Sequence, residues 1–431
     1  MKRKFIKKLV NWKEKHINTP LLLSGARQTG KTYILKEFCK NYFKDSIYIN
    51  FEEQSEFVSF FESSLNPEEI LGKIEIYLSR KIDVKETIIF FDEIQVSERV
   101  ISSLKYFSES KKGYKIVCAG SLLGVKLNRF KSSFPVGSVY FETLYPMDFD
   151  EFLMALDEEP LIGEIDKSYE KLKMLDDTFH KKALELYRAY LVIGGMPQSI
   201  LEYLKSGKNF ASFDRQIQEN IIISYLADMA KYTNNENAVK VSNVYKSIPA
   251  QLAKENKKFQ YKMIGTKAKK ESYESAIDWL ILSGLLLKTT KVELPQVPLT
   301  AYQKANMFKL YFSDVGLLCA LSKINPGEIF LDTNMMYKGV LTENYVAQTL
   351  ASNGYDLFYW ESKSLAEIDF LINTAKGIVP VEVKSSDNTV SKSLYSYMER
   401  YKPDHGIRIS TKNFGMMNGI KSIPLYAAYK I

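Results

Sequence analysis

An eight-residue segment near the start of the chain has the composition of a phosphate-binding loop. It reads GARQTGKT, follows the apolar run LLLS, and precedes a stretch with helical spacing of apolar residues. Glycines let backbone N–H groups curl around phosphate oxygens, and the helix N-terminus adds positive potential. We expect Lys31 to reach the β- and γ-phosphates of ATP and Thr32 to ligate Mg²⁺. The predicted nucleotide-binding residues are Gly25, Ala26, Arg27, Gln28, Thr29, Gly30, Lys31 and Thr32.

Two acids follow the apolar run that begins at Thr87, where a parallel strand would present its carboxyl end to a ligand. Asp92 suits the shell of a magnesium ion, and Glu93 suits polarising an attacking water, which indicates hydrolysis. Ser121 follows the next apolar run and is a candidate sensor of the γ-phosphate. Its alternative role is to cap the next helix.

A lysine-rich segment forms a third candidate. Seven lysines and one acid lie between residues 254 and 270, interleaved with Phe259 and Tyr261, and a helix and strands follow. This order is typical of a winged helix, which would place lysines on DNA phosphates. The alternative is a solvated loop beside a packing helix. The predicted DNA contacts are Lys257, Lys258, Lys262, Lys267, Lys269 and Lys270.

The last hundred residues carry a group of acids. Glu382 and Lys384 share one face of a predicted strand, and Asp369 lies on another strand shortly before them. Glu343 lies on the apolar face of an upstream helix, where an unpaired carboxylate is costly. This order resembles the restriction-endonuclease-like fold, which includes Holliday-junction resolvases. The resemblance implies a phosphodiesterase site with Glu343, Asp369 and Glu382 on Mg²⁺ and Lys384 in catalysis; the alternative is a buried ion-pair network.

Longer pieces of sequence resemble one family over nearly the whole chain. LLLSGARQTGKTYIL, IIFFDEIQ, AGSLLG, LYPMDFDEFL and GGMP are similar to bacterial AAA-type ATPases, and KLYFSDVGLL, TENYVAQTL, EIDFLI and VPVEVKSS to their C-terminal domain of unknown function. The resemblance implies ATP hydrolysis. Members often carry an arginine before the strand read here as VYFETLYP, but this chain has Val136-Gly137-Ser138. Arg129 is therefore the candidate arginine finger across the interface of a homo-oligomer, or else a surface arginine.

The pattern of apolar runs predicts an α/β chain of four parts. Strands are expected at Leu21–Ser24, Ile47–Phe51, Thr87–Phe91, Lys115–Ala119 and Val139–Leu144. Continuous apolar runs are typical of parallel strands that are buried on both faces. We predict a P-loop AAA-type core at residues 1–150, a helical lid at 151–215, a winged helix at 216–328 and a restriction-endonuclease-like domain at 329–431.

The composition limits the classes of protein to which this chain can belong. Of 431 residues, 45% are hydrophobic and 26% are charged, which indicates an ordered globular chain. No apolar run reaches the roughly 18 residues that a membrane helix needs. Three dispersed cysteines indicate reduced core thiols in a cytoplasmic protein. The net charge of +8 permits contact with DNA. Two hypotheses follow: an ATPase that acts on or binds DNA, or an ATP-dependent switch whose C-terminal domain only mediates interactions.

Overall fold

A computed structural model describes residues 1–121, 123–127, 137–209, 212–233, 235–330, 335–362, 366–385 and 391–431. The chain divides into two compact units. One comprises Lys2–Tyr145 with Leu282–Gly284, and the other comprises Met1, Pro146–Ile281 and Leu285–Ile431. The boundary after Tyr145 lies close to the predicted end of the P-loop core.

The first unit is a parallel sheet with helices on both faces. Its strands run in the order β2-β3-β4-β1-β5, and every neighbouring pair is parallel. The strands are β1 (Leu21–Ser24), β2 (Asp45–Asn50), β3 (Thr87–Asp92), β4 (Lys115–Ala119) and β5 (Tyr140–Thr143). The helices are α1 (Ile6–Lys15), α2 (Lys31–Tyr42), α3 (Val58–Ser63), α4 (Pro67–Leu78), α5 (Glu98–Glu109) and α6 (Leu123–Leu127).

Alternating side chains of these strands supply two cores. Leu22 and Phe91 pack with residues of α3, α4 and α5 on one face of the sheet. Leu21 and Phe90 pack with residues of α1 and α2 on the other face. Both faces of β1 and β3 are buried, so their sequences read as unbroken apolar runs. The five predicted strands are confirmed to within a residue or two at each end.

Helices dominate the first half of the second unit. They are α7 (Phe149–Ala155), α8 (Glu159–Lys171), α9 (Asp177–Ile193), α10 (Pro197–Lys205), α11 (Gln216–Tyr232), α12 (Asn235–Leu252) and α13 (Lys270–Leu282), followed later by α14 (Val315–Leu321), α15 (Pro326–Phe330), α16 (Met335–Ser352) and α17 (Lys392–Tyr401). The predicted break at GGMP separates α9 from α10. Gly194 has a φ of +74°, which suits glycine, and Pro197 begins the next helix.

The second unit also contains a mixed sheet of eight strands. These are β6 (Leu286–Val292), β7 (Gln303–Phe312), β8 (Phe358–Glu361), β9 (Glu367–Thr374), β10 (Gly377–Val383), β11 (Gly406–Ser410), β12 (Gly415–Met417) and β13 (Ile420–Pro424). Their order is β12-β13-β11-β10-β9-β8-β6-β7.

This sheet corrects the predicted division at residues 328 and 329. The antiparallel pair β6 and β7, expected as the wing of a separate winged helix, continues the C-terminal sheet through parallel pairing of β6 with β8. Thr290 pairs with Phe358 in that register. A strand in mid-sheet satisfies backbone hydrogen bonds on both sides, and β6 does so with strands from both sides of the predicted boundary. The structure therefore shows a helical region and one mixed C-terminal sheet.

Cys39, Cys118 and Cys319 are free thiols and are buried, as predicted. Across the ranges that the structure describes, no helix has the length and apolarity required to cross a bilayer.

Candidate functional site

The predicted phosphate-binding loop connects β1 to α2 in a backbone conformation that its glycines permit. Gly25 has a φ of +144°, Gln28 of +64° and Gly30, the residue before α2, of +94°. A side chain at Gly25 would collide with the carbonyl oxygen of Leu144. The loop therefore needs glycine both for its backbone angles and for close packing against the chain after β5.

Lys31 is buried inside this loop. Its Nζ donates hydrogen bonds to the carbonyl oxygens of Gly25 (3.0 Å) and Ala26 (2.8 Å), and the residue is only 7% exposed. Burial lowers the pKa of Lys31 to about 8, although Glu93 and Asp92 oppose the shift. A cation held mainly by neutral carbonyl groups is ready to bind an anion, and phosphate oxygens fit that requirement.

Thr32 and Asp92 meet at the start of α2. The hydroxyl of Thr32 donates to Asp92 Oδ2 over 2.8 Å, Tyr48 donates to the same oxygen over 3.0 Å, and the backbone N–H of Glu93 donates to Oδ1 over 3.0 Å. Asp92 is 2% exposed, and burial raises its pKa. Hydroxyl and carboxylate oxygens are the ligands that Mg²⁺ prefers, so this pair fits the ion. When bound there, Mg²⁺ would neutralise phosphate charge.

Glu93 and Ser121 lie together beside the end of β3. Glu93 has a φ of +52°, and Ser121 Oγ donates to Glu93 Oε2 over 3.4 Å. Gln95, which the sequence did not single out, donates from Nε2 to the same carboxylate oxygen and to Ser121 Oγ (3.4 Å). The motif IIFFDEIQ contains Gln95, but no spacing rule indicates which carboxylate a glutamine will contact.

Two arginines, Arg3 and Arg27, lie at the phosphate-binding loop. Arg3 donates to the carbonyl oxygens of Thr29 (2.9 Å) and Tyr145 (2.8 Å), a contact that local sequence patterns do not predict. Arg27, in the loop, lies 3.7 Å from Glu52. Arg129, the candidate arginine finger, lies outside the described residues.

The six predicted DNA-contacting lysines fall into two groups. Lys257 pairs with Glu343, Lys258 with Glu361 (2.5 Å) and Lys270 with Glu274 (3.6 Å). Lys262, Lys267 and Lys269 are exposed, as is the neighbouring Lys254, and none of these four has an ion-pair partner within the described ranges. Only the second group leaves its charge fully available to a phosphate.

Glu343 is the centre of a buried ion-pair network. Lys257 and Lys309 pair with it, the latter over 3.2 Å, and the hydroxyl of Tyr311 donates to it. Burial would raise the pKa of Glu343, but the two lysines outweigh burial and hold this pKa near 2. Lys309 also lies 2.6 Å from Glu367. Lys309 was not predicted, although a single lysine within the apolar run FKLYF is a signal for a buried cation with a partner.

Asp369 and Glu382, the other predicted metal ligands, have hydrogen-bond or ion-pair partners of their own. Asp369 Oδ2 accepts a hydrogen bond from the backbone N–H of Val383 (2.7 Å), and burial together with the charge of Glu343 raises the pKa of Asp369 to about 7. Glu382 is 3% exposed and pairs with Lys384 over 3.1 Å, while its Oε2 has no hydrogen-bond partner among the residues that the structure describes.

The predicted metal cluster of Glu343, Asp369 and Glu382 is therefore not assembled. Within the described part of the chain, no group of three or more His, Cys, Asp or Glu side chains has the arrangement needed to hold a metal ion. The physical reason is that two lysine ammonium groups already neutralise Glu343, and these are the positive charges that a metal would otherwise supply.

Three parts of the chain match protein-family models. Residues 17–153 match an AAA domain. Residues 184–328 match a domain of unknown function (DUF8612), and residues 338–427 match another (DUF4143). An AAA domain implies nucleotide binding and nucleoside triphosphatase activity, and the predicted phosphate-binding loop and its acids lie inside the matched range.

Individual relatives are distant. An uncharacterized protein of Methanocaldococcus jannaschii, MJ1544, is 24% identical over 403 residues, which cover 88% of this chain and 78% of that protein. The Walker-type ATPase PABY2304 of Pyrococcus abyssi is 17% identical over 75% of this chain and 95% of its own, with a TM-score of 0.45. The ORC2 protein of Aeropyrum pernix in its ADPNP–ADP complexes is 12% identical over 76% and 92%, with a TM-score of 0.37.

Proposed function

We propose that the AAA domain hydrolyses ATP with Mg²⁺. The observation that carries this proposal is the contact of Thr32 with Asp92 beside Glu93, at the mouth of a loop that holds Lys31. Glu93 accepts a proton from water as the water oxygen bonds to the γ-phosphorus and the bond to the β–γ bridging oxygen breaks. The products are ADP and inorganic phosphate, and the proton returns to solvent. Lys31 stabilises the negative charge on the phosphate oxygens.

Substitutions at Lys31 and Glu93 test this proposal. Lys31→Ala should abolish hydrolysis and weaken binding of a fluorescent ATP analogue, since the phosphates lose their buried cation. Glu93→Gln should keep nucleotide binding but slow hydrolysis by at least about 100-fold, because an amide does not accept the proton. Glu53→Gln, an exposed glutamate in the turn after β2, is the matched control and should hydrolyse ATP normally. Normal turnover in Glu93→Gln would remove that residue from the mechanism.

The second part of the proposed function is nucleic-acid binding through the exposed lysines of residues 254–269. Four unpaired ammonium groups within one short segment support it, because phosphate contacts need charges that no carboxylate neutralises. These contacts position the chain on DNA without reading its sequence. Lys257 and Lys258 pair with Glu343 and Glu361, so we assign them to these ion pairs rather than to DNA.

Salt dependence tests this surface. Replacing Lys262, Lys267 and Lys269 with Ala should weaken binding of a labelled DNA duplex similarly for unrelated sequences. It should also reduce the slope of log K against log salt by about 0.9 for each lost phosphate contact. Replacing the exposed Lys171, Lys173 and Lys181 removes the same net charge elsewhere and should leave the slope unchanged. Equal slopes in both triple variants would assign residues 254–269 to a solvated loop.

We assign a structural role to the C-terminal acids, so the chain binds DNA but does not cleave it. The neutralisation of Glu343 by Lys257 and Lys309 supports this assignment over a metal-dependent nuclease. Incubation with duplex, single-stranded and branched DNA, with and without ATP and with Mg²⁺ or Mn²⁺, should leave the DNA intact. Cleavage that Asp369→Asn and Glu382→Gln each remove would overturn this part of the proposal.

A further inference from the structure

Gln95 joins two residues of the candidate ATPase site. It lies in the short 3₁₀ turn Ile94–Val96 after β3, and its side-chain amide contacts Glu93 and Ser121. Ser121 also donates to the Glu93 oxygen that Gln95 contacts. We call these three residues the Glu93 triangle. It connects the end of β3, where the proposed base lies, to the end of β4.

Gln95 and Ser121, two members of the triangle, are buried, whereas Glu93 is partly exposed. Gln95 is 3% exposed and Ser121 is 2% exposed. A Cβ atom at Gly120 would lie only 2.5 Å from Gln95 Oε1, so the glycine at this position leaves space for the amide. Burying an amide is costly unless it is hydrogen bonded, and the Nε2 group meets this requirement through Glu93 and Ser121.

The contacts within the triangle differ in strength. The amide donates to an ionisable carboxylate, and hydrogen bonds to charged groups are the stronger ones. Both contacts of the Ser121 hydroxyl are 3.4 Å long, which is at the weak limit for a hydrogen bond. The Ser121 hydroxyl can therefore exchange its Glu93 acceptor for a better one, such as a phosphate oxygen. The hydrogen bond from Gln95 to Glu93 is kept during this exchange.

We propose that Gln95 is a positioning residue that links Ser121 to the Glu93 base. The amide fixes the Glu93 carboxylate in the direction needed for proton transfer, and the Ser121 hydroxyl turns from Glu93 to the γ-phosphate when ATP binds. ADP lacks this phosphate, so the ADP-bound protein keeps the three contacts of the triangle that are present without nucleotide. The inference rests on the proposed ATPase function and names the residues by which the site distinguishes ATP from ADP.

Gln95→Met tests the inference, since methionine has a similar length and volume but no N–H donor. We expect kcat to fall by at least about 10-fold while KM changes by less than about 3-fold, because orientation of the base is lost and phosphate binding is kept. The melting temperature without nucleotide should be unchanged or higher. Gln54→Met, the same change in the turn after β2, is the matched control and should keep the wild-type kcat.

Binding measurements provide a readout independent of turnover. In the Glu93→Gln background, the ratio of affinities for a fluorescent non-hydrolysable ATP analogue and fluorescent ADP should fall in Ser121→Ala. It should fall in Gln95→Met as well, and the double variant should show no further loss.

Two results would overturn the role of Gln95. One is a Gln95→Met protein with a wild-type kcat and a lower melting temperature, which would make Gln95 a packing residue only. The other is additive loss of the affinity ratio in the double variant, which would make Gln95 and Ser121 independent. Hydrolysis that survives Lys31→Ala would instead reject the ATPase site itself, so the two failures are distinguishable.

Discussion

At the scale of single residues, burial and partners decide which charges of this protein can take part in chemistry. Lys31 and Glu343 are both buried. The ammonium of Lys31 is held by backbone carbonyl groups, so it can still accept a phosphate. The carboxylate of Glu343 is held by two lysines and a tyrosine, so a metal ion would have to displace them. Both sites are predicted from the sequence, and their partners in the structure separate them.

Removing the Glu343 carboxylate should destabilise the fold. Glu343→Gln leaves the buried Lys309 and Lys257 without their shared anion, and we expect a loss of about 3–5 kcal/mol in the free energy of unfolding. Glu274→Gln breaks the exposed pair with Lys270 and should change stability by less than about 0.5 kcal/mol. Chemical denaturation of both variants checks this. A Glu343→Gln protein as stable as wild type would refute the ion-pair network.

Asp314 should make stability depend on pH. It is 1% exposed, accepts hydrogen bonds from the N–H groups of Gly195 (2.6 Å) and Leu317 (2.9 Å), and burial raises its pKa to about 6. The titratable groups that interact with it include Tyr190, Tyr225 and Tyr245, which stay neutral in acid.

The sign of this effect follows from proton binding. Between pH 4 and 6 the folded state keeps a proton on Asp314 that the unfolded state has released, so stability falls as the pH rises, by up to about 3 kcal/mol. Asp314→Asn removes this titration. The stability difference between wild type and Asp314→Asn, measured by urea unfolding, should therefore shrink from pH 4 to pH 6. A difference that is constant over this range would show that Asp314 does not titrate there.

At the scale of elements, the turn between α9 and α10 shows how a glycine pair fixes an arrangement of segments. The carbonyl oxygen of Gly195 accepts a hydrogen bond from the N–H of Met147 (2.7 Å), and its own N–H donates to Asp314, which caps α14. A side chain at Gly195 would overlap the carbonyl of Met147. Three segments distant in sequence therefore meet at a point where only glycine fits.

Two glycine substitutions with opposite outcomes test this reading. Gly195→Ala should destabilise the protein by more than about 2 kcal/mol, because the added methyl group must displace backbone. Gly163→Ala lies inside α8, has no atom near its new Cβ, and should stabilise the protein by about 0.5–1 kcal/mol. Thermal unfolding of the two variants is the measurement, and a tolerant Gly195→Ala protein would contradict the close approach.

At the scale of the whole molecule, two compact units carry two different kinds of acidic site. In the first unit, Asp92 accepts hydrogen bonds from two hydroxyl groups and a backbone N–H, none of which carries a positive charge. In the second unit, acids of α16 and β9 lie among lysines from β7 and from the segment before α13, and Glu382 of β10 pairs with Lys384. The proposed nucleotide chemistry therefore uses the first unit, and ion pairs hold the acids of the second unit.

Metal dependence should follow this division. Asp92→Asn removes the predicted Mg²⁺ ligand of the AAA domain, and its melting temperature without nucleotide should then be the same with Mg²⁺, Mn²⁺ or a chelator. A metal ion that binds only the folded state raises the melting temperature. A rise in the Asp92→Asn protein would therefore indicate a metal site outside the AAA domain. A clear rise with Mn²⁺ that Glu382→Gln removes would restore a metal site at the C-terminal acids.

The sequence by itself determined the features that depend on local residue order. The apolar runs of β1, β3 and β4 indicate parallel strands because both faces of these three strands are buried. The loop from Gly25 to Thr32 is recognisable because glycine, lysine and threonine are each needed at fixed positions along one turn. Asp92 contacts Thr32 at the end of this loop, as expected when the ends of neighbouring parallel strands share one edge of the sheet, and the catalytic role of Glu93 stays a prediction.

Only the tertiary structure decided which distant groups become partners. The pairing of β6 with β8 replaced a separate winged helix by one continuous sheet, and the contacts of Lys257 and Lys309 with Glu343 replaced a metal cluster by an ion-pair network. Gln95 became part of the candidate site in the same way. Strand pairing and charge pairing depend on distances in space between residues far apart in the chain, and neither periodicity nor motif spacing records those distances.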